Sequence, residues 1–230
     1  MKSKKQMSEA TSVMVALTIS GGLQDAYSYF VRDKVFANAQ TGNIVLMSEH
    51  FFSGDVRGGI RYLIPILAFA LGVLIAEQLR AKFSNSKLFH WRQLIAAIEI
   101  LLLFITGLLP VTKTLDPLAN ALTSCSCAMQ VQAFRKVNGY SYASTMCIGN
   151  MRSAMESLSA YLRLGEKRLL RQSGQYFFVI LMFILGAGAG GIAAQHIGRQ
   201  LIWASCALLF VCFALMFIKE DIEHEADFMK

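Results

Sequence analysis

Six windows of this 230-residue chain are apolar over close to the 20 or so residues needed to cross about 30 Å of hydrocarbon. They run roughly from Ala10 to Phe30, Tyr62 to Leu79, Leu94 to Leu109, Leu118 to Phe134, Tyr176 to Ala194 and Leu201 to Ile218. Polar and basic residues collect in the short connections. The pattern predicts an all-α fold, a polytopic transmembrane helical bundle occupying residues 1–230 as one domain, with 219–230 as a cytoplasmic tail. The first window follows Lys2, Lys4 and Lys5 as a secretory signal would, yet no small-residue cleavage site comes after it and five more windows do. It is read as an uncleaved first helix.

The pattern repeats. Arg92 to Ile95 reads RQLI, and so does Arg199 to Ile202, 107 positions later. The same offset places Gly42-Asn43 on Gly149-Asn150, Ala26 on Ala133 and Leu101-Leu102 on Leu208-Leu209. The middle helices need an offset of 114, which puts Leu71-Gly72 on Leu185-Gly186, and connections absorb the difference. Repeat 1 covers about 10–110 and repeat 2 about 117–218. Each has three windows plus an extra segment, FANAQTGNIVLMSEHFF in the first and YASTMCIGNMRSAMESLSAYL in the second.

Whether that segment spans decides the architecture. Three crossings per copy turn the second copy upside down, whereas four make the copies parallel. With three crossings and a cytoplasmic start, 16 of the 22 Lys and Arg residues fall on the inner side, Arg152 among them. With four, the split is 12 against nine and Arg152 is stranded in lipid. The positive-inside rule therefore favours two inverted three-helix repeats, each with an extra short re-entrant or interfacial helix, and both termini cytoplasmic.

Composition agrees with a membrane setting: 55% of residues are apolar and 16% charged, against roughly 45–50% and 25% in soluble domains. The net charge of +7 lies in the connections, so it indicates orientation and not a nucleic-acid partner. Five cysteines, at 125, 127, 147, 206 and 212, are odd in number and lack zinc-type pairing, and are read as free buried thiols. GAGAGG at 186–191 fits a dinucleotide fingerprint in letters but lies inside a spanning helix with no strand before it, so no cofactor is implied. Gly186, Ala187, Gly190 and Gly191 instead make small-residue faces, serving either internal packing or a homodimer. His50, His90, His196 and His224 are scattered without metal spacing, and no nucleophile stands beside a base. No enzyme, metal or catalytic residue is expected.

Candidate chemistry sits where lipid should be. Asp25 lies about 22 Å from the start of the first helix, within the outer third of a bilayer, where a carboxylate is costly unless it is neutral, paired or wet. Glu99 lies about 10 Å into the third helix and is a weaker candidate for proton coupling. Asn38 and Thr41 are helix-capping types, Gly42 permits a chain break, and Asn43 completes a segment suited to a short re-entrant helix. Such a helix start can hold an anionic group. In the second copy Gly149 and Asn150 are kept, Ile148 replaces Thr41, and Arg152 and Glu156 are added four apart, as a structural ion pair. Asp25 aligns with Gln132. Glu77 is read as satisfied by Arg80.

Gly21-Gly22, Asp25-Ala26, Tyr29, Phe36, Asn38 and Thr41-Gly42-Asn43 together resemble the YoaK-like family of small bacterial inner-membrane proteins. The resemblance covers essentially the full length, and Asn-x-x-Thr-Gly-Asn is its most specific part. Ile148 and the AMQVQA stretch at 128–133 depart from it in the second copy. It implies six membrane helices, a bacterial inner-membrane location and a permease label without a defined substrate. The expected function is alternating-access transport of a small solute, with the bilayer and that solute as partners. Asp25 would be the proton or cation site, Asn38, Thr41 and Asn43 would line the outer half, and Gln132, Asn150 and Arg152 the inner. A scaffold that moves nothing and a passive channel are the alternatives.

Overall fold

The computed structural model describes residues 10–84, 91–137 and 140–216. The tail 219–230, the flanking Lys2, Lys4, Lys5 and Lys87, and His90 and His224 lie outside the described residues. Eight helices follow in order: α1 (Thr11–Val31), α2 (Gln40–Phe52), α3 (Val56–Phe83), α4 (Trp91–Leu108), α5 (Asp116–Ala133), α6 (Cys147–Leu164), α7 (Lys167–Ile197) and α8 (Ile202–Leu215). The six windows fall on α1, α3, α4, α5, α7 and α8, and the extra segments on α2 and α6. A two-residue hairpin, β1 (Lys136–Val137) with β2 (Tyr140–Ser141), closes the connection after α5. The helical pattern of the sequence did not predict it.

Among the described residues, three stretches are long and apolar enough to cross a membrane: Val56–Phe83, Trp91–Leu108 and Lys167–Leu215. The third folds back. It turns at Gly198, whose φ of 51° belongs to the left-handed region that favours glycine. Met14 near the start of α1 clusters with Tyr176 and Val179 of α7, while Cys212 of α8 donates to Val13 O, so α7 leaves that end of the bundle and α8 returns to it. We call this the proximal end and the opposite one distal.

α1 and α5 are too polar to qualify as apolar spans, and the reason is position. Both are wrapped by the apolar helices, with Thr18, Ser20, Gln24 and Ser28 of α1 and Asn120, Thr123, Ser124, Ser126 and Gln130 of α5 all buried. Leu67, Leu71 and Leu74 of α3, Leu101 and Phe104 of α4, Leu181 and Ile184 of α7 and Phe210 of α8 are exposed instead. An outer belt of this kind suits lipid, which leaves the polar residues to the interior.

α1 runs antiparallel to α5. Gln130 Nε2 donates to Leu17 O, Cys127 Sγ to Gln24 Oε1, and Asn120 Nδ2 to Arg32 O, at successively more distal levels of α1. α1 packs mainly on α7 and α5 on α3; α2 packs on α3 and α6 on α7; α1 meets α8 and α5 meets α4. Exchanging the first four helices for the last four maps each of these contacts onto another, and maps the α4–α8 contact onto itself. The glycine face of α7 is used internally. A Cβ on Gly186 would run into the Ile19 backbone, and one on Gly190 into Leu23 and Ala26.

At the distal end Arg32 is fully buried. Its guanidinium donates to Tyr27 Oη (2.7 Å), Asp116 Oδ1 (2.8 Å) and the carbonyls of Thr106, Leu109 and Pro110 (3.1, 2.6 and 2.8 Å). One side chain thereby ends α4, whose last carbonyls have no helical partner, and ties it to the starts of α5 and of the connection after α1. Nearby, Asp55 caps α3 through the Gly58 amide, which with His50 holds its carboxyl below the ordinary range.

Candidate functional site

After Val31 the chain turns through Asp33 and Lys34, both at positive φ, and comes back alongside the helix it has just left. The returning limb is pinned residue by residue to α1. Ala37 N donates to Ser28 Oγ (3.0 Å), Asn38 N to Asp25 Oδ1 (2.8 Å) and Asn38 Nδ2 to Gly21 O (3.2 Å). At this interior level α2 starts and heads back toward the distal end, where Asp55 opens α3. The first extra segment therefore folds back into the bundle, and its helix spans 13 residues.

The second extra segment does the same from the proximal end. Tyr142 N donates to Arg135 O, Gln130 Nε2 to Ser144 Oγ (2.9 Å), and Thr145 packs on Gly21, where an added Cβ would stand 2.7 Å from its Cγ2. α6 starts there and returns to the proximal side along α7. Both limbs thus end at Gly21, from opposite directions.

The Gly-Asn pairs have a definite role. Asn43 accepts from Phe36 N (3.1 Å) and donates to Phe36 O (2.7 Å); Asn150 accepts from Ala143 N (3.4 Å) and donates to Ala143 O (2.7 Å). Each amide acts as a strand partner for one residue of an otherwise unpaired limb. Phe36 and Ala143 are again 107 positions apart. Asn43 and Asn150 are therefore clamps, with no amide group left over for lining a path. Gly42 lies against the Phe36 ring, whereas nothing within 4 Å of Gly149 explains its glycine. Buried polar groups left unpaired cost about 1–3 kcal/mol each. Asn43→Ala and Asn150→Ala are each expected to destabilise the protein by about that amount, read as a fall in melting temperature, with faster hydrogen exchange confined to 35–39 or 142–146.

Other expected site residues are placed differently. Asn38 and Thr41 do not cap α2; its N-cap is Ala39, without a side-chain cap, and α6 begins equally uncapped at Met146. Thr41 is exposed. Gln132 is occupied by Glu77, which also meets Arg80 and Arg135, so it lies near the proximal end and apart from Asp25. Arg152 and Glu156 do pair, at 2.8 Å, but on the outward face of α6, with side chains 81% and 60% exposed. They do not line the interior.

What the interior holds is a set of buried oxygens without hydrogen-bond partners among the described residues. Asn38 Oδ1 and Thr145 Oγ1 face this fate at the ends of the two limbs, in residues only 4% and 5% exposed. Gln130 Oε1, Thr18 Oγ1, Ser124 Oγ and Ser126 Oγ belong to the same α1–α5 interior. Both Glu99 carboxyl oxygens are unpartnered and fully buried. The Cys127 thiol lies within the electrostatic reach of both Asp25 and Glu99. Buried polar atoms in folded proteins are almost always satisfied, so a cluster of exceptions needs a resident water, ion or ligand to explain it. Thr145 went unnoticed in the sequence although it is the 107-offset image of Asn38. Arg32 carried no repeat signal, since its image is Gly139.

These features are those of an all-helical membrane protein with a polar interior into which two limbs of the chain fold back. The chain belongs to the family described as a protein of unknown function (DUF1275), which matches residues 13–215. It is 24% identical over 206 residues to the UPF0700 transmembrane protein YoaK of Bacillus subtilis (strain 168), covering 86% of this chain and 90% of that one. The YoaK-like resemblance of the motif residues therefore extends over most of the chain. No solved structure matches.

Proposed function

We propose that the protein is a secondary transporter of a small hydrophilic solute, working by alternating access and coupled to protons, with no enzymatic activity. In this reading α1, α3, α4, α5, α7 and α8 all cross the bacterial inner membrane, as two inverted three-helix repeats with both termini cytoplasmic. The antiparallel course of α1 and α5 and the interchangeable helix contacts support that arrangement.

One observation carries the proposal: two limbs folding in from opposite ends stop at Gly21, and each ends in a buried oxygen with no hydrogen-bond partner among the described residues, Asn38 Oδ1 and Thr145 Oγ1. A solute held between them would supply the missing partners. The uncapped helix starts behind them, at Gln40 and Cys147, add amide donors and a positively polarised end. Such a site accepts a polar solute bearing both donors and an acceptor or anionic group.

Asp25 has the geometry of a coupling group. Its carboxylate accepts from the Asn38 amide, so a proton arriving there weakens the bond that holds the first limb in place. Glu99 is the second acidic group, fully buried and with no hydrogen-bond partner among the described residues. Proteoliposomes loaded with a pH dye test the reading against a panel of small solutes. Saturable counterflow is expected, with half-saturation raised about tenfold or more by Asn38→Ala or Thr145→Val, the cost of one good hydrogen bond. Asp25→Asn should remove the dependence of flux on pH. Flux that rises linearly with concentration would indicate a channel. The absence of flux for every solute, together with a stoichiometric co-purifying membrane protein, would indicate a scaffold.

A further inference from the structure

The outward face of α6 divides lengthwise. One half carries Arg152, Glu156, Ser159 and Arg163, spaced four, seven and eleven apart and so in one stripe, lining with Met155 a shallow groove of about 490 Å³. The other half exposes Ile148, Met151 and Leu162. The remaining side of the helix, with Asn150, Ala154 and Ser157, is buried. We propose that this groove binds the headgroup of an anionic phospholipid, with an acyl chain along the apolar half.

Depth gives the first argument. α6 starts at the level of Gly21, about 15 Å along α1 from Thr11, so Arg152 lies some 8 Å nearer the proximal end and still within a 30 Å apolar layer. Arg163 lies about 24 Å from the start of α6 and reaches the interface. A guanidinium at the Arg152 depth facing lipid is costly without a counter-charge. Glu156 supplies one for Arg152, but Arg163 has no ion pair among the described residues. At the mouth of the groove Lys167, Arg168 and Arg171 are exposed, with Glu166 the acidic residue among them. The excess is positive and fits a phosphate.

Charge also decides between this occupant and a second copy. A two-fold axis along the bilayer normal would set α6 beside α6 in the same direction and bring Arg152 toward Arg152. A lipid phosphate meets no such repulsion. The Ser159 hydroxyl adds a donor, and the apolar half suits a chain that lies along the helix.

Full-length protein reconstituted with phosphatidylcholine, with or without phosphatidylglycerol, and then released for native mass spectrometry tests the site without reference to transport. Phosphatidylglycerol should be retained over phosphatidylcholine, and at least tenfold less by the Arg152→Gln/Arg163→Gln double variant. Arg152→Lys/Arg163→Lys, which keeps the charge, and Arg57→Gln at the distal end should retain it, and Glu156→Gln should retain more. Equal retention of both lipids, retention indifferent to the double variant or to Glu156→Gln, or displacement by inorganic phosphate as readily as by lipid would overturn the proposal. So would efficient cross-linking of Ser159→Cys between copies in phosphatidylglycerol membranes, which would assign the face to a dimer.

Discussion

Asp116→Ala is expected to lose about 3–5 kcal/mol of stability, because it strands the Arg32 guanidinium in a site with no exposure and no other acid paired to it among the described residues. The measurement is the thermal midpoint of the purified protein in a fixed detergent, with α-helical content as the signal. Arg32→Met should be about as damaging for a different reason. It leaves Asp116 unpaired and uncaps the Thr106, Leu109 and Pro110 carbonyls together. Removing both charges with Arg32→Met/Asp116→Leu relieves the first problem and not the second, so the double variant should recover only part of the loss. A double variant as stable as wild type would mean that the carbonyl contacts contribute little. Single variants within about 0.5 kcal/mol of wild type would mean that the pair is in effect solvated, in the manner of surface ion pairs.

The positions of the helices were readable because lipid imposes a length and a composition on whatever faces it. α3, α4 and α7 obey that rule and overlap their windows; α8, with 14 residues, obeys it in composition only. α1 and α5 were visible for the same reason only in outline, since neighbours and not lipid surround them; their serines, threonines and glutamines belong to a protein interior. The two extra helical segments were legible through Gly42-Asn43 and Gly149-Asn150, although the chemistry assigned to these residues was different. They looked like path-lining groups at helix starts, whereas Asn43 and Asn150 spend both ends of their amides on Phe36 and Ala143. An asparagine seven residues after an extended limb has no local signature that separates clamp from ligand.

The offset of 107 held more than was taken from it. It relates Asn43 to Asn150, Phe36 to Ala143 and Asn38 to Thr145, so the two clamps, their two targets and the two orphan oxygens are one arrangement written twice. Thr145 escaped notice because threonine and asparagine do not match as letters, although either can present an oxygen at the end of a limb. The reverse error concerns Gln132. It aligns with Asp25, but repeat alignment preserves backbone position and not partner, and Gln132 stands one residue from the end of α5 beside Glu77. Arg32 was invisible on both counts: the second copy has Gly139 at its image, and a basic residue just past a helix end reads as an interface anchor.

The closest test of the interleaved halves lies in the glycines. A Cβ on Gly22 would meet the Phe183 carbonyl and the Ala187 amide, and one on Gly186 the Ile19 backbone. These neighbours are main chain and cannot turn aside, so Gly22→Ala and Gly186→Ala should each lose about 3 kcal/mol, the upper end of overpacking costs. Gly188→Ala meets nothing within 4 Å and should gain up to about 1 kcal/mol from helix propensity. Gly72→Ala should behave like Gly186→Ala, because Gly72 abuts the Cys125 carbonyl of α5 much as Gly186 abuts Ile19 of α1. Coupling separates this arrangement from general fragility. Gly22 and Gly186 face the same α1–α7 contact, so once one alanine has forced the helices apart the second should cost less, and their double variant should fall short of the sum. Gly72 works at the α3–α5 contact, and its loss should add in full to either. Melting midpoints of the three singles and the two doubles decide it. Full additivity of Gly22→Ala with Gly186→Ala would separate two sites that the fold places in one contact, and the pairing of each half's middle helix with the other half's first would lose its support.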